Sequence, residues 1–133
     1  MLKIAVDFDG TIVEDKFPAI GKPHLFAIET LLALQKKRHQ LILWTVREGE
    51  SLKKAVEFCE SHGIEFYAVN KNFPEEVLEP GQSRKINADI FIDDRNVGGF
   101  IGWSKVWELL GDNSVDYKLP EKDFWAKFKD LFK

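Results

Sequence analysis

A single cysteine, a single methionine and no long apolar run set the first limits on this 133-residue chain. With only Cys59 present, no internal disulfide framework can form. Cys59 falls in a helical apolar pattern, which makes it a small core residue. No stretch approaches the roughly 20 apolar residues that a membrane span needs. The N-terminus enters an apolar run with no signal-peptide pattern, so the cytoplasm is the expected location. An excess of one charge is also lacking. Against 22 acidic residues stand 19 basic ones, a net charge of -3, so there is no electrostatic case for nucleic acid or an anionic membrane. What the chain does have is a 44% hydrophobic fraction, enough for one real core and one domain over 1–133.

The apolar runs alternate with amphipathic ones. Residues 2–8 read as a strand, on an apolar run with β-branched members. A Pro- and Gly-containing loop follows over 9–23. The spacing of Leu25, Ile28, Leu31, Leu32 and Leu34 predicts a helix over 24–38, with Lys36, Lys37 and Arg38 complementing its dipole. Residues 41–45 form a second strand, 50–62 a second helix ended by Gly63, and 64–69 a third strand. A loop spans 70–84, with one helical turn near 75–78, and 89–93 is a fourth strand. This order predicts an α/β fold: a Rossmann-like three-layer α/β/α sandwich on a mainly parallel sheet. Residues 100–133 are rich in aromatics and are expected to form a helical cover.

Chemistry-bearing residues recur where the strands run out. Asp7 and Asp9 flank Phe8 just before Gly10 and Thr11, at a point where Gly10 lets the backbone turn. Thr45 ends the second strand, Lys85 precedes the fourth, and Asp93 with Asp94 ends it. In a parallel sheet these ends share one edge, where open α/β sheets place ligands. Like charges so close are costly unless compensated, and a divalent cation offers compensation. His24, His39 and His62 have no spacing that suggests a metal site.

Asp7-Phe8-Asp9-Gly10-Thr11, Thr45, Lys85 and Asp93-Asp94, in that order, resemble the four motifs of the haloacid dehalogenase superfamily of phosphotransferases. The resemblance spans 2–99 and implies a Rossmann-like fold, Mg²⁺ dependence and an aspartyl-phosphate intermediate. It implies Asp7 as nucleophile and metal ligand, and Asp9 as general acid/base that also lends its carbonyl to the metal. Asp93 and Asp94 would complete the cation site, with Asp94 the direct ligand and Asp93 acting through water. Thr45 and Lys85 would hold the phosphoryl group, with Lys71 a rival to Lys85. Backbone N–H groups from Phe8 through Gly10 and Thr11 would finish an oxygen cradle. Arg47 could add a fork on the substrate phosphate, or be a solvated charge at the start of the second helix.

Neither the interval 9–45 nor the interval 45–85 has room for a cap domain. An open site suits a phosphorylated small molecule, a bulky phosphorylated substrate that covers the cleft, or a homo-oligomer that roofs it. The loop over 11–23 could act as a flap. The expected activity is phosphomonoester hydrolysis. The alternative is a phosphate- and metal-binding regulatory module without turnover, related to this superfamily or to two-component receivers. Receivers normally place their phosphoacceptor after the third strand, and here that strand ends in Val69-Asn70.

Overall fold

The computed structural model describes residues 1–77, 79 and 85–111. The chain builds β1 (Lys3–Val6), α1 (Ala27–Lys36), β2 (Gln40–Leu43), α2 (Gly49–Ser61), β3 (Ala68–Val69), β4 (Ile90–Ile92) and α3 (Trp103–Leu110). The four strands form one parallel sheet in the order β3-β2-β1-β4. This is a small α/β, Rossmann-like fold, and among the described residues no cap domain interrupts it.

Period-two alternation divides the strands between two faces. Ile4, Val6, Leu41 and Leu43 join one buried cluster; Ala5 and Ile42 join another. All three described helices send their apolar stripes into the first cluster. The stripes are Ala27, Leu31 and Leu34 from α1, Ala55 and Cys59 from α2, and Trp103 and Val106 from α3. Their i,i+3 and i,i+4 spacings put each set on one side of its helix. Each fully buried Leu or Ile contributes roughly 1.5–3 kcal/mol. The second face carries Ala68 and Ile86, with Trp44, Tyr67 and Ala88 packed against them. Right-handed crossovers explain the division. The steps β1 to β2 and β2 to β3 move the same way along the sheet, so α1 and α2 share a face. The step from β3 back past β1 to β4 must cross the other face, and Ile86 lies on that connection.

Several boundaries differ from the sequence reading. α1 starts at Ala27 rather than residue 24, because Phe26 takes a left-handed conformation at φ 66°. β3 is two residues long; Ile64 is buried in the helical-side cluster instead of pairing. The predicted turn near 75–78 is described only in part, and the aromatic segment around Phe124 to Phe132 lies outside the described residues. The cover that is described is α3. Its Trp103 indole N–H donates to the Thr11 carbonyl at 2.8 Å, inside the protein. The aromatic start of the C-terminal region thus braces the loop that follows β1. Among the described residues no helix is long and apolar enough to cross a membrane.

Candidate active site

Register brings the strand ends together. Val6 is level with Leu43 on one side and Ile92 on the other. The ladder continues one step further, with Asp7 N–H on the Ile92 carbonyl (3.0 Å) and Trp44 N–H on the Val6 carbonyl (2.9 Å). Asp7 and Asp93 therefore stand side by side at one sheet edge. Carboxylate oxygens of Asp7, Asp93 and Asp94 all lie within 4.8 Å of one another. The Thr11 hydroxyl sits 3.2 Å from Asp7 Oδ2 and 3.4 Å from Asp94 Oδ1. Asp93 Oδ1 accepts the Arg95 N–H at 2.9 Å, and the Asn96 side chain donates to the Asp93 carbonyl at 2.7 Å.

The crowding has an electrostatic consequence. Burial, the Asp93 charge, and the Asp94 carboxyl as hydrogen-bond partner and charge push Asp7 up from 3.8 to about 7, opposed by a hydrogen bond from the Phe8 backbone. The native state thus holds a proton that the unfolded chain releases near 3.8. Its contribution to stability is complete below pH 3.8 and disappears as pH rises through about 7. Melting curves without divalent ions should accordingly fall in temperature from pH 5 to pH 8. A flat profile would show that the acids do not repel.

An open cleft of about 370 Å³ runs over this edge, lined by Asp7, Asp9, Asp15, Phe17, Trp44, Thr45, Val46, Asp93 and Arg95. Of the expected residues, Asp7, Asp9, Thr45 and Asp93 meet there. Asp94 lies behind them, against Gly10. A Cβ on Gly10 would stand 2.2 Å from Asp94 Oδ2, and φ is +85° there, so glycine is what lets the acid approach. Thr45 is held by Asn70, whose side-chain oxygen accepts the Thr45 N–H at 2.8 Å. Asn70 is a positioning residue that the sequence reading passed over. Its signal was a polar side chain ending β3, as at the other three strands.

Several of these expectations need correction. Arg47 is neither a phosphate fork nor a solvated charge. Its side chain is wholly buried, and all five guanidinium N–H groups are engaged. Nε and Nη2 grip the two Asp9 oxygens at 2.7 Å each; Nη1 reaches the Pro18 and Ser51 carbonyls, and Nη2 also the Ala19 carbonyl. Asp9 is consequently not among the three clustered acids. Its carboxylate, 11% exposed, sits in a bidentate ion pair, which leaves its carbonyl as its means of reaching a cation. The oxygen cradle also fails at two places: the Gly10 and Thr11 N–H groups donate to the Val13 and Phe8 carbonyls, and the Phe8 ring is core. Thr11 is buried, so its hydroxyl braces the acids rather than a phosphate. Finally, Lys85 and Lys71 are exposed and neither lines the cleft. Among the described residues, the cation that does line it is Arg95.

The 11–23 loop is no flap. Its base is closed by a Val13–Pro23 bridge and by Glu14 N–H on the Lys22 carbonyl at 2.8 Å. Its tip is tied down by Arg47.

The fold has a counterpart in a solved structure of a conserved protein from Bacteroides thetaiotaomicron. The two chains are 48% identical, the match covers 99% of this chain and 98% of that one, and the TM-score is 0.78. The chain belongs to the family of that conserved protein. No family model matches it, and no curated protein does.

Proposed function

We propose that the chain is a Mg²⁺-dependent phosphomonoester hydrolase working through an aspartyl-phosphate on Asp7. The observation that carries this reading is the trio of Asp7, Asp93 and Asp94 oxygens within 4.8 Å at the carboxyl edge of a parallel sheet. An all-carboxylate set of hard oxygens suits Mg²⁺, and burial beside Asp93 and Asp94 raises the proton affinity of Asp7, a cost that a bound cation would offset. Bound Mg²⁺ would offset the negative charge of phosphate and carboxylates together. The resemblance to haloacid dehalogenase motifs supports the same assignment.

In this scheme an Asp7 oxygen attacks phosphorus as the bond to the leaving oxygen breaks. Asp9, lining the cleft, gives the leaving oxygen its proton. Water then attacks phosphorus, the Asp7–phosphorus bond breaks, and Asp9 takes the water's proton. Thr45 and Arg95 offer a hydroxyl and a cation to the transferred group. Turnover of a generic aryl phosphate with and without Mg²⁺ is the test, and no Mg²⁺-dependent release of phosphate would sink the proposal.

Gly10→Ala bears on the same cluster. The added Cβ must displace the Asp94 carboxylate, so Mg²⁺ affinity measured by calorimetry is expected to fall about tenfold or more. The left-handed backbone adds a stability loss of about 1–2 kcal/mol. Unchanged affinity would remove Asp94 from the cation site.

One observation favours a second reading, a phosphate- and metal-binding module without turnover. Both Asp9 oxygens already accept bonds from Arg47, which restrains the residue assigned to move protons. Mg²⁺ binding with no phosphate release from any phosphomonoester would favour it.

A further inference from the structure

Large apolar side chains stand out in water around a cleft whose floor is acidic. Val46 is 86% exposed and Phe17 is 56% exposed, and both line the cleft with Trp44. Their place at the mouth of the cleft puts both where a substrate bound over Asp7 would meet them. Phe17 is also held in place. The Arg47 guanidinium carbon lies 5.1 Å from the centre of its ring. The next two carbonyls, Pro18 and Ala19, accept Arg47 N–H groups at 3.1 and 2.9 Å. The Phe17 N–H donates to Asp15 Oδ1 at 3.3 Å, and Gly21 permits the close crossing with Glu14 that shuts the loop. Arg47 meanwhile grips Asp9, so the ring and the assigned acid/base are fastened to one buried group.

Resting on the phosphatase reading, we infer that Phe17 is a specificity-determining residue: a fixed aromatic platform that selects phosphomonoesters whose leaving group carries a flat apolar or aromatic ring. A preformed platform needs no closure of a lid, so the ordering cost of binding is small. A ring laid on Phe17 gains burial and offset or edge-on aromatic contact. The buried guanidinium near the ring supports the orientation that the platform needs.

Benzyl phosphate and propyl phosphate test this, since both lose a primary alkoxide and differ in the ring. The wild-type protein with Mg²⁺ should favour benzyl phosphate about tenfold in kcat/KM, chiefly through KM. Phe17→Ala should bring that preference to within twofold, whereas Phe17→Tyr, which keeps a ring, should retain it. Melting curves of both variants guard against loss of fold, and Phe17→Leu offers a second ring-free variant. Wild-type turnover with no benzyl preference, or a preference that survives in Phe17→Ala and Phe17→Leu, would overturn this inference and leave the phosphatase reading standing. No turnover of either ester by a wild type that hydrolyses an aryl phosphate would overturn this inference alone, and no turnover of any of the three would remove both.

Discussion

Asp7→Asn is expected to lower Mg²⁺-dependent phosphate release by about 10³-fold or more, while raising the melting temperature of the ion-free protein at pH 8. The first effect follows from chemistry: an amide oxygen is a far weaker nucleophile than a carboxylate, and removal of a covalent nucleophile is among the costliest single changes at such a site. The second follows from electrostatics. Asp7 is crowded by Asp93 and Asp94 and titrates near 7, so at pH 8 the folded protein carries a repulsion that an isosteric neutral side chain removes. Asn also keeps hydrogen-bonding capacity toward Thr11, 3.2 Å away in the native protein. The two effects point in opposite directions, which separates lost chemistry from lost folding. Added Mg²⁺ should raise the wild-type melting temperature more at pH 8 than at pH 5, and the variant's much less at either. Turnover that persists in Asp7→Asn would place the nucleophile elsewhere. A lower melting temperature at pH 8 would show that the three acids do not oppose one another.

The acids were readable in the sequence because their placement depends on local rules alone. An apolar strand followed by polar residues puts those residues at a strand end, and a parallel sheet gathers all such ends on one edge. Asp7, Thr45 and Asp93 needed nothing more. Arg47 was different. Two residues past Thr45, it could have faced a ligand or water, and nothing nearby in the sequence says that residues 18 and 19 supply carbonyls to it. Its environment is made by a loop about 30 positions upstream, and long-range satisfaction of a buried cation leaves no periodic trace. The backbone cradle failed for a similar reason. Motif spacing names residues but not hydrogen-bond partners, and the tight turn at 8–13 uses the Gly10 and Thr11 N–H groups itself. For β3 the sequence pattern predicts six residues because Ile64 and Phe66 are apolar. In the fold both pack in the helical-side cluster rather than extending the sheet.

Arg47→Ala should cost about 3–5 kcal/mol of stability, the usual loss when one partner of a buried ion pair is removed. Asp9 would keep a mostly buried charge without its guanidinium, and the Pro18, Ala19 and Ser51 carbonyls would lose their donors. For a domain of this size the loss corresponds to a fall of about 10 °C or more in melting temperature. Arg47→Lys should recover only part, because a single ammonium cannot reproduce a five-donor fork that binds two carboxylate oxygens and three carbonyls at once. The informative variant is the double change Arg47→Met with Asp9→Leu. It removes both charges, so much of the lost stability should return. Turnover should not return, because no acid/base is left beside Asp7. Stability restored together with activity would dismiss Asp9 from the chemistry and leave Arg47 and Asp9 as a purely structural pair. Stability not restored would mean that the three carbonyl contacts, rather than the ion pair, hold the loop to the domain.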